Sequence, residues 1–178
     1  MSHAEQKQYC TAIVNKFKEK FVDCNALDCG SLDINGNNRF MFTNSKYIGI
    51  DVGKGRNVDE VSLIHEYDKP DETFDVIVST ECFEHDMYVE KSLKNIVRLL
   101  KSDGLFVFTC ATTGRGVHGT ATHHKKDAPL LQGEWANYYK NLTEADIMGM
   151  LEVDTIFKEY KFGVNTRHAD LQFWGIKK

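Results

Sequence analysis

Cys10, Ile13, Val14, Phe17 and Phe21 recur at helical spacing near the start of the chain, with Lys and Glu opposite them. That period predicts an amphipathic helix over residues 3–22. The pattern then changes to short solid apolar runs. Ala26-Leu27-Asp28-Cys29 is stopped by Gly30, Tyr47-Ile48-Gly49-Ile50 ends at Asp51, and Phe74-Asp75-Val76-Ile77-Val78-Ser79 is the clearest run. A third strand, weakly patterned, is placed around Val58 to Ile64. Residues 88–101 return to helical spacing, with Leu93, Ile96, Val97 and Leu100 on one face. A turn at Ser102-Asp103-Gly104 then leads to a fifth strand, Leu105 to Cys110. Apolar strands alternating with helices predict an α/β domain whose mostly parallel sheet is covered on both faces.

The alternation stops after the fifth strand. Residues 111–141 are rich in Gly, His, Thr and aromatics with little periodicity, and a loop this long in a small domain is commonly functional. Thr143 is an N-cap candidate for a helix through about Leu151. Two strand-like runs, 156–164 and 169–176, are joined by Asn165-Thr166-Arg167-His168 and predict a closing antiparallel hairpin. Nothing repeats and no linker interrupts the chain, so residues 1–178 are expected to form one domain, with an N-terminal helix in 1–22 and a long active-site loop region in 111–141.

At 178 residues, 42% hydrophobic and 27% charged, the chain has an ordinary globular composition. A net charge of −4 offers no broad attraction to nucleic acid or to an anionic membrane surface. No apolar run reaches the roughly 20 residues of a membrane span, and the polar start MSHAEQKQ is unlike a signal peptide. The expectation is a soluble cytoplasmic chain without nucleic-acid or membrane partners. Cys10, Cys24, Cys29, Cys82 and Cys110 contain no CxxC pair and are expected as reduced core residues.

In an open α/β sheet, ligands sit beyond the carboxyl ends of strands where the strand order reverses. Gly30 directly after the first strand lets the backbone pass close to a ligand. Asp28 can fix that loop or accept a hydrogen bond from a ligand ammonium group. Asp51, about 20 residues further on, is spaced to accept both ribose hydroxyls of an adenosyl group.

With these residues in hand, the chain resembles the class I S-adenosylmethionine (SAM)-dependent methyltransferases. Leu27-Asp28-Cys29-Gly30-Ser31, Gly49-Ile50-Asp51, the run from Phe74 to Ser79, Phe83-Glu84-His85, and Leu99-Leu100-Lys101-Ser102-Asp103-Gly104-Leu105 look like that family's successive motifs. Asn141-Leu142-Thr143 and Asp170-Leu171-Gln172-Phe173-Trp174-Gly175-Ile176 are similar to a small subgroup from bacteria, phages and large DNA viruses. Some of its members are fused to glycosyltransferases, which implies glycan modification. The resemblance implies a Rossmann-like sheet, SAM as cofactor, and methyl transfer to a small-molecule or saccharide hydroxyl. It puts Asp28, Gly30 and Ser31 near the methionine part, Asp51 on the ribose and Val52 against adenine. His65 and Glu66 would contact the adenine edge, and Ser79 and Glu81 would floor the site. Two family glycines are replaced by Leu32 and Ile34, so either affinity is reduced or the loop turns at Asn35-Gly36. About 15 residues separate Gly30 from Lys46, so the first helix must be short.

A hydroxyl acceptor needs a general base, and histidine suits neutral pH. His118, set among glycines in Thr113-Gly114-Arg115-Gly116-Val117-His118-Gly119-Thr120, and His85 are the catalytic candidates; Arg115 can bind an anion or brace a closed loop. His123, His124 and Asp127 do not make a ligand set, so no metal is expected. Trp135, Tyr138 and Tyr139 can wall an acceptor or anchor the loop. Two other functions fit the same fold: a non-catalytic partner-binding module and an NAD(P)-dependent oxidoreductase. The broken glycine fingerprint and the closing hairpin argue against the oxidoreductase.

Overall fold

The computed structural model describes residues 4–178, and residue 3 of the expected first helix lies outside that range. Seven strands form one sheet: β1 (Asn25–Cys29), β2 (Lys46–Asp51), β3 (Glu60–Val61), β4 (Phe74–Thr80), β5 (Leu100–Ala111), β6 (Phe157–Asn165) and β7 (Asp170–Lys177). Their order across the sheet is β3-β2-β1-β4-β5-β7-β6. The first five run parallel, and β7 lies antiparallel to both β5 and β6. The α/β class, the mostly parallel sheet and the closing hairpin are as the apolar pattern predicts.

Two cores follow from the period-2 alternation of these strands. On one face Ala26, Val76, Val78, Leu105, Val107 and Trp174 pack with Cys10 and Ile13 of helix α1 (Ala4–Lys16). On the other, Leu27, Ile77, Phe106, Phe108 and Phe173 pack with Leu93, Ile96 and Leu99 of α2 (Val89–Leu99) and with Ile147 of α3 (Glu144–Met150). Each such side chain contributes about 1.5–3 kcal/mol on burial. A final four-residue helix, α4 (Val153–Ile156), leads into β6. Thr143 caps α3 in a reciprocal capping box with Asp146, which satisfies two orphaned helix N–H groups. All five cysteines are free thiols, four of them buried.

Three boundaries differ from the sequence reading. The expected helix over 3–22 breaks at Phe17, whose φ of −123° and ψ of 43° lie outside helical space; only a 3₁₀ turn, Lys18–Phe21, follows. The expected turn at 102–104 is a bulge within one continuous β5, with Asp103 at φ 63° and a register shift against β4. Leu100 therefore belongs to the strand and pairs with Phe74, not to the preceding helix. The weak third strand contracts to two residues at the sheet edge, where Val61 is exposed.

Sheet order reverses between β1 and β4, so the carboxyl ends of these two strands open a crevice. No helix of the described residues is long and apolar enough to cross a membrane.

Candidate active site

The crevice holds two adjoining lobes. The polar lobe, with about 700 Å³ of empty space, is bordered by Asp28, Gly30, Ser31, Asp51 and Glu81. The apolar lobe, about 390 Å³, is bordered by Val52, Leu63, Ile64 and Trp135. Gly30, Asp51, Cys82, His85 and Leu131 border both, so the lobes meet at the ends of β1 and β2.

Gly30 is required by geometry. Its φ is +78°, and a Cβ there would stand 2.5 Å from Cys82 Sγ and 2.7 Å from Cys82 Cβ. Its N–H and that of Ser31 both donate to the Ile50 carbonyl, at 2.9 and 3.0 Å. The loop then turns on Asp33, whose carboxylate accepts from Gly36 N at 2.8 Å and Asn37 Nδ2 at 2.9 Å. Gly36, at φ +125°, takes the positive dihedral. This resolves the departure at Leu32 and Ile34: the turn has moved to Asp33–Gly36, and both apolar side chains border the polar lobe. The connection to β2 contains one 3₁₀ turn, Asn38–Met41, in place of a short helix. Gly30→Ala is expected to cost about 1–2 kcal/mol for the left-handed backbone, with a further loss from the clash. A melting curve beside a titration with S-adenosylhomocysteine (SAH) checks this; wild-type behaviour in both would refute the close-approach role.

Asp51 ends β2 with Oδ2 accepting from Leu32 N at 3.0 Å and Oδ1 from Val52 N at 2.8 Å. Each oxygen keeps a second lone pair. Burial raises its carboxyl above the usual range. Asp28 is buried deeper, hydrogen-bonded by the Tyr47 hydroxyl and by Asn38 Nδ2 at 3.0 Å. Burial pushes it up to about 6, against the lowering effect of those donors. Asn38, which also borders the polar lobe, and Tyr47 were not legible as site residues because only the fold brings them to Asp28.

Four expected residues do not border the crevice: Ser79, His65, Glu66 and His118. Ser79 is fully buried and donates to the Cys29 carbonyl at 3.0 Å, tying β4 to β1. His65 packs on Tyr88 at 4.7 Å between ring centroids, and Glu66 turns to solvent, 3.8 Å from the His65 ring. The 3₁₀ turn Ile64–Glu66 places Ser62, Leu63 and Ile64 along the apolar lobe instead.

Beyond β4, Glu81 adopts φ 53° and accepts from Thr109 Oγ1 at 2.9 Å. The next turn, Phe83–His85, buries Glu84 and His85. His85 borders both lobes; His118 stands behind it, ring centroids 5.3 Å apart, and Tyr139 contacts both rings at 5.5 and 5.1 Å. Burial lowers the pKa of both imidazoles, so both are neutral near pH 7. His118 Nδ1 lies 3.1 Å from the Gly116 carbonyl. A carbonyl only accepts, so Nδ1 carries the proton and Nε2 keeps its lone pair.

The long loop folds over this end of the sheet. Asp127, Ala128, Pro129, Leu130 and Leu131 border the polar lobe, and Leu130 approaches Gly53. Arg115 braces it, donating to Asp170 Oδ1 and the His168 carbonyl at 2.6 Å each, and to Glu81 Oε2 at 3.3 Å. Of its two expected roles, the structure shows the brace. His123 and His124 are exposed.

These residues fit SAM. Buried carboxylates line the lobe that would take a cationic methionine end, an apolar lobe suits adenine, and Asp51 sits between them. A dinucleotide fits poorly, because no α-helix N-terminus follows Gly30 to receive a pyrophosphate.

Comparison with known proteins agrees. Residues 41–108 match a family described as a methyltransferase domain. No curated protein sequence matches the chain. Among solved structures, the chain is similar to Burkholderia thailandensis 1,6-didemethyltoxoflavin-N1-methyltransferase, crystallised with 1,6-didemethyltoxoflavin and SAH. The TM-score is 0.65 at 15% identity, over 98% of this chain and 79% of that one. It is similar to Haemonchus contortus phosphoethanolamine N-methyltransferase 2, crystallised with SAM, with a TM-score of 0.64 at 16% identity over 96% of this chain and 52% of that one. The CurJ carbon methyltransferase gives a TM-score of 0.67 at 16% identity, over 96% and 54%. The chain thus has the fold of the class I methyltransferases. The match over residues 41–108 and the shared fold both support SAM as the cofactor.

Proposed function

We propose that this chain is a SAM-dependent methyltransferase that acts on a hydroxyl of a small molecule or saccharide. The observation that carries the reading is the pair of neutral imidazoles, His85 in the crevice wall and His118 behind it, beside the buried carboxyl of Glu84. An amine is nucleophilic once neutral, whereas a hydroxyl needs its proton removed, and this pair offers a proton acceptor.

SAM, when bound, supplies an electrophilic methyl group. Asp28 would hold the ammonium of its methionine part and Asp51 its ribose hydroxyls. Val52, Leu63, Ile64 and Trp135 would enclose adenine. The 111–141 loop supplies the roof, and Leu131, bordering both lobes, excludes water where they join. The acceptor proton would pass to His85 in the crevice wall, with His118 packed behind it. Alignment of acceptor and donor then supplies much of the acceleration.

Asp51→Ala is expected to weaken SAM binding by about 1–3 kcal/mol through lost charge-assisted hydrogen bonds. Calorimetric titration reads this directly, and unchanged affinity would remove Asp51 from the ribose. The acceptor class is tested by product analysis over matched alcohols, sugars and amines with labelled SAM. Methyl ethers support the reading; N-methyl products alone overturn it.

A further inference from the structure

We propose that Glu84, His85 and His118 form a site for a divalent transition-metal cation at the inner edge of the crevice. Each of the three offers a ligand atom, and these atoms all lie within 4.8 Å of one another. All three residues are buried; Glu84 is fully so.

The orphaned atoms are what point to an ion. Neither oxygen of Glu84 receives a hydrogen bond from another residue, and His118 Nε2 and His85 Nδ1 are likewise buried without a partner. Buried polar atoms are rarely left so, because each costs about 1–3 kcal/mol when unsatisfied. A cation that accepts a lone pair from each of Glu84, His85 and His118 would satisfy such atoms together. His118 is prepared for it: the Gly116 carbonyl holds the proton on Nδ1 and leaves Nε2 open, 3.9 Å from Glu84 Oε1. That arrangement, a ligating imidazole anchored through its other nitrogen, is the usual outer support of a metal site.

The donor set selects the ion. Two imidazoles and one carboxylate suit Zn²⁺, Mn²⁺ or Fe²⁺ more than Mg²⁺ or Ca²⁺, which prefer all-oxygen shells. Ligands about 2.0–2.2 Å from one ion stand roughly 3–4 Å apart, so the side chains need to close by about an ångström. Three protein ligands leave positions for water and for an oxygen donor. His85 belongs to both this cluster and the crevice wall, so the open positions adjoin the place where an acceptor would sit. Resting on the hydroxyl-acceptor reading, the ion would bind the acceptor oxygen and lower its pKa, and the proton would leave to water in the crevice because His85 and His118 are then occupied as ligands.

The metal-free expectation from sequence considered His123, His124 and Asp127. His118 lies 33 residues after His85 in the chain, so the three side chains form no local pattern.

The test uses tag-free full-length chain, stripped with chelator and titrated with Mn²⁺ and with Zn²⁺ alone, with metal content measured after dialysis. One equivalent per chain is expected, with affinity falling at least tenfold in Glu84→Gln and in His118→Ala. Co²⁺-loaded protein should show visible ligand-field bands that change in His118→Gln, a milder second variant. SAH titration of each stripped variant reports whether its crevice is still folded. Absence of stoichiometric binding to wild type, or binding equally tight in the variants, overturns the proposal. Failure of SAH to bind any form would instead overturn the cofactor reading, with the metal result standing by itself.

Discussion

Replacing Arg115 by Ala is expected to destabilise the protein by about 3–5 kcal/mol, because it strips the guanidinium from two buried carboxylates. The Glu81 and Asp170 side chains are 0% and 1% exposed, and that of Arg115 is 18% exposed. One planar fork spans both acids and also takes the His168 carbonyl. Its own carbonyl accepts from Asn141 Nδ2 at 2.9 Å, joining the two ends of the long loop. For a chain of this size, such a loss lowers the melting temperature by roughly 6–20 °C. Arg115→Lys should recover only part, since an ammonium cannot make two parallel contacts at fixed angles. Differential scanning calorimetry of the two variants decides it. If Arg115→Ala melts with the wild type, these carboxylates do not depend on the arginine and the brace has no energetic weight.

This brace shows where sequence reasoning reaches its limit. Arg115 was legible as a residue of a glycine-rich loop, but its partners are Glu81, just beyond β4, and Asp170, at the start of β7, 34 and 55 positions away. Local patterns carried the fold well because most strands are solid apolar runs: Ala26 to Cys29 and Val76 to Ser79 are buried without interruption. They failed where a tertiary contact overrode propensity. Ser102-Asp103-Gly104 has turn chemistry, yet β4 on one side and β7 on the other keep β5 continuous beside a bulge. Gly30, Asp51 and Asp28 were legible as crevice residues because an open α/β sheet opens at the carboxyl ends of its strands. Ser79 was misplaced because strand alternation assigns a face but not a depth, and its hydroxyl is spent on the Cys29 carbonyl. Glu84 drew attention only as part of a motif; its burial without a hydrogen-bonding neighbour is a property of the folded chain.

Asp28→Asn is expected to produce opposite changes in stability and in cofactor binding. Burial raises the folded-state pKa of Asp28 from 3.8 to about 6. Carrying its charge in the ligand-free fold at pH 7 therefore costs about 3 kcal/mol. The sign follows from the protons. The folded state holds its proton up to higher pH than the unfolded chain, so this group's favourable contribution is complete below pH 3.8 and is lost as pH rises through about 6. Asn is neutral throughout, so the ligand-free variant should outlast the wild type at pH 7 by up to that amount, and the difference should vanish below pH 4. The amide still offers Asn38 an acceptor and Tyr47 a donor, so the local network can be kept. Cofactor affinity should move the other way. Only the carboxylate attracts a cationic methionine end, so wild-type binding should strengthen between pH 5 and 7 while that of Asp28→Asn stays weak and flat. Paired melting and SAH titrations across this pH range test both halves. A variant that is both less stable and equally tight would show Asp28 to be a structural residue alone. Opposite movement shows that the buried charge is held at the expense of stability for the sake of the ligand, the trade-off expected where a fold keeps a strained group for function.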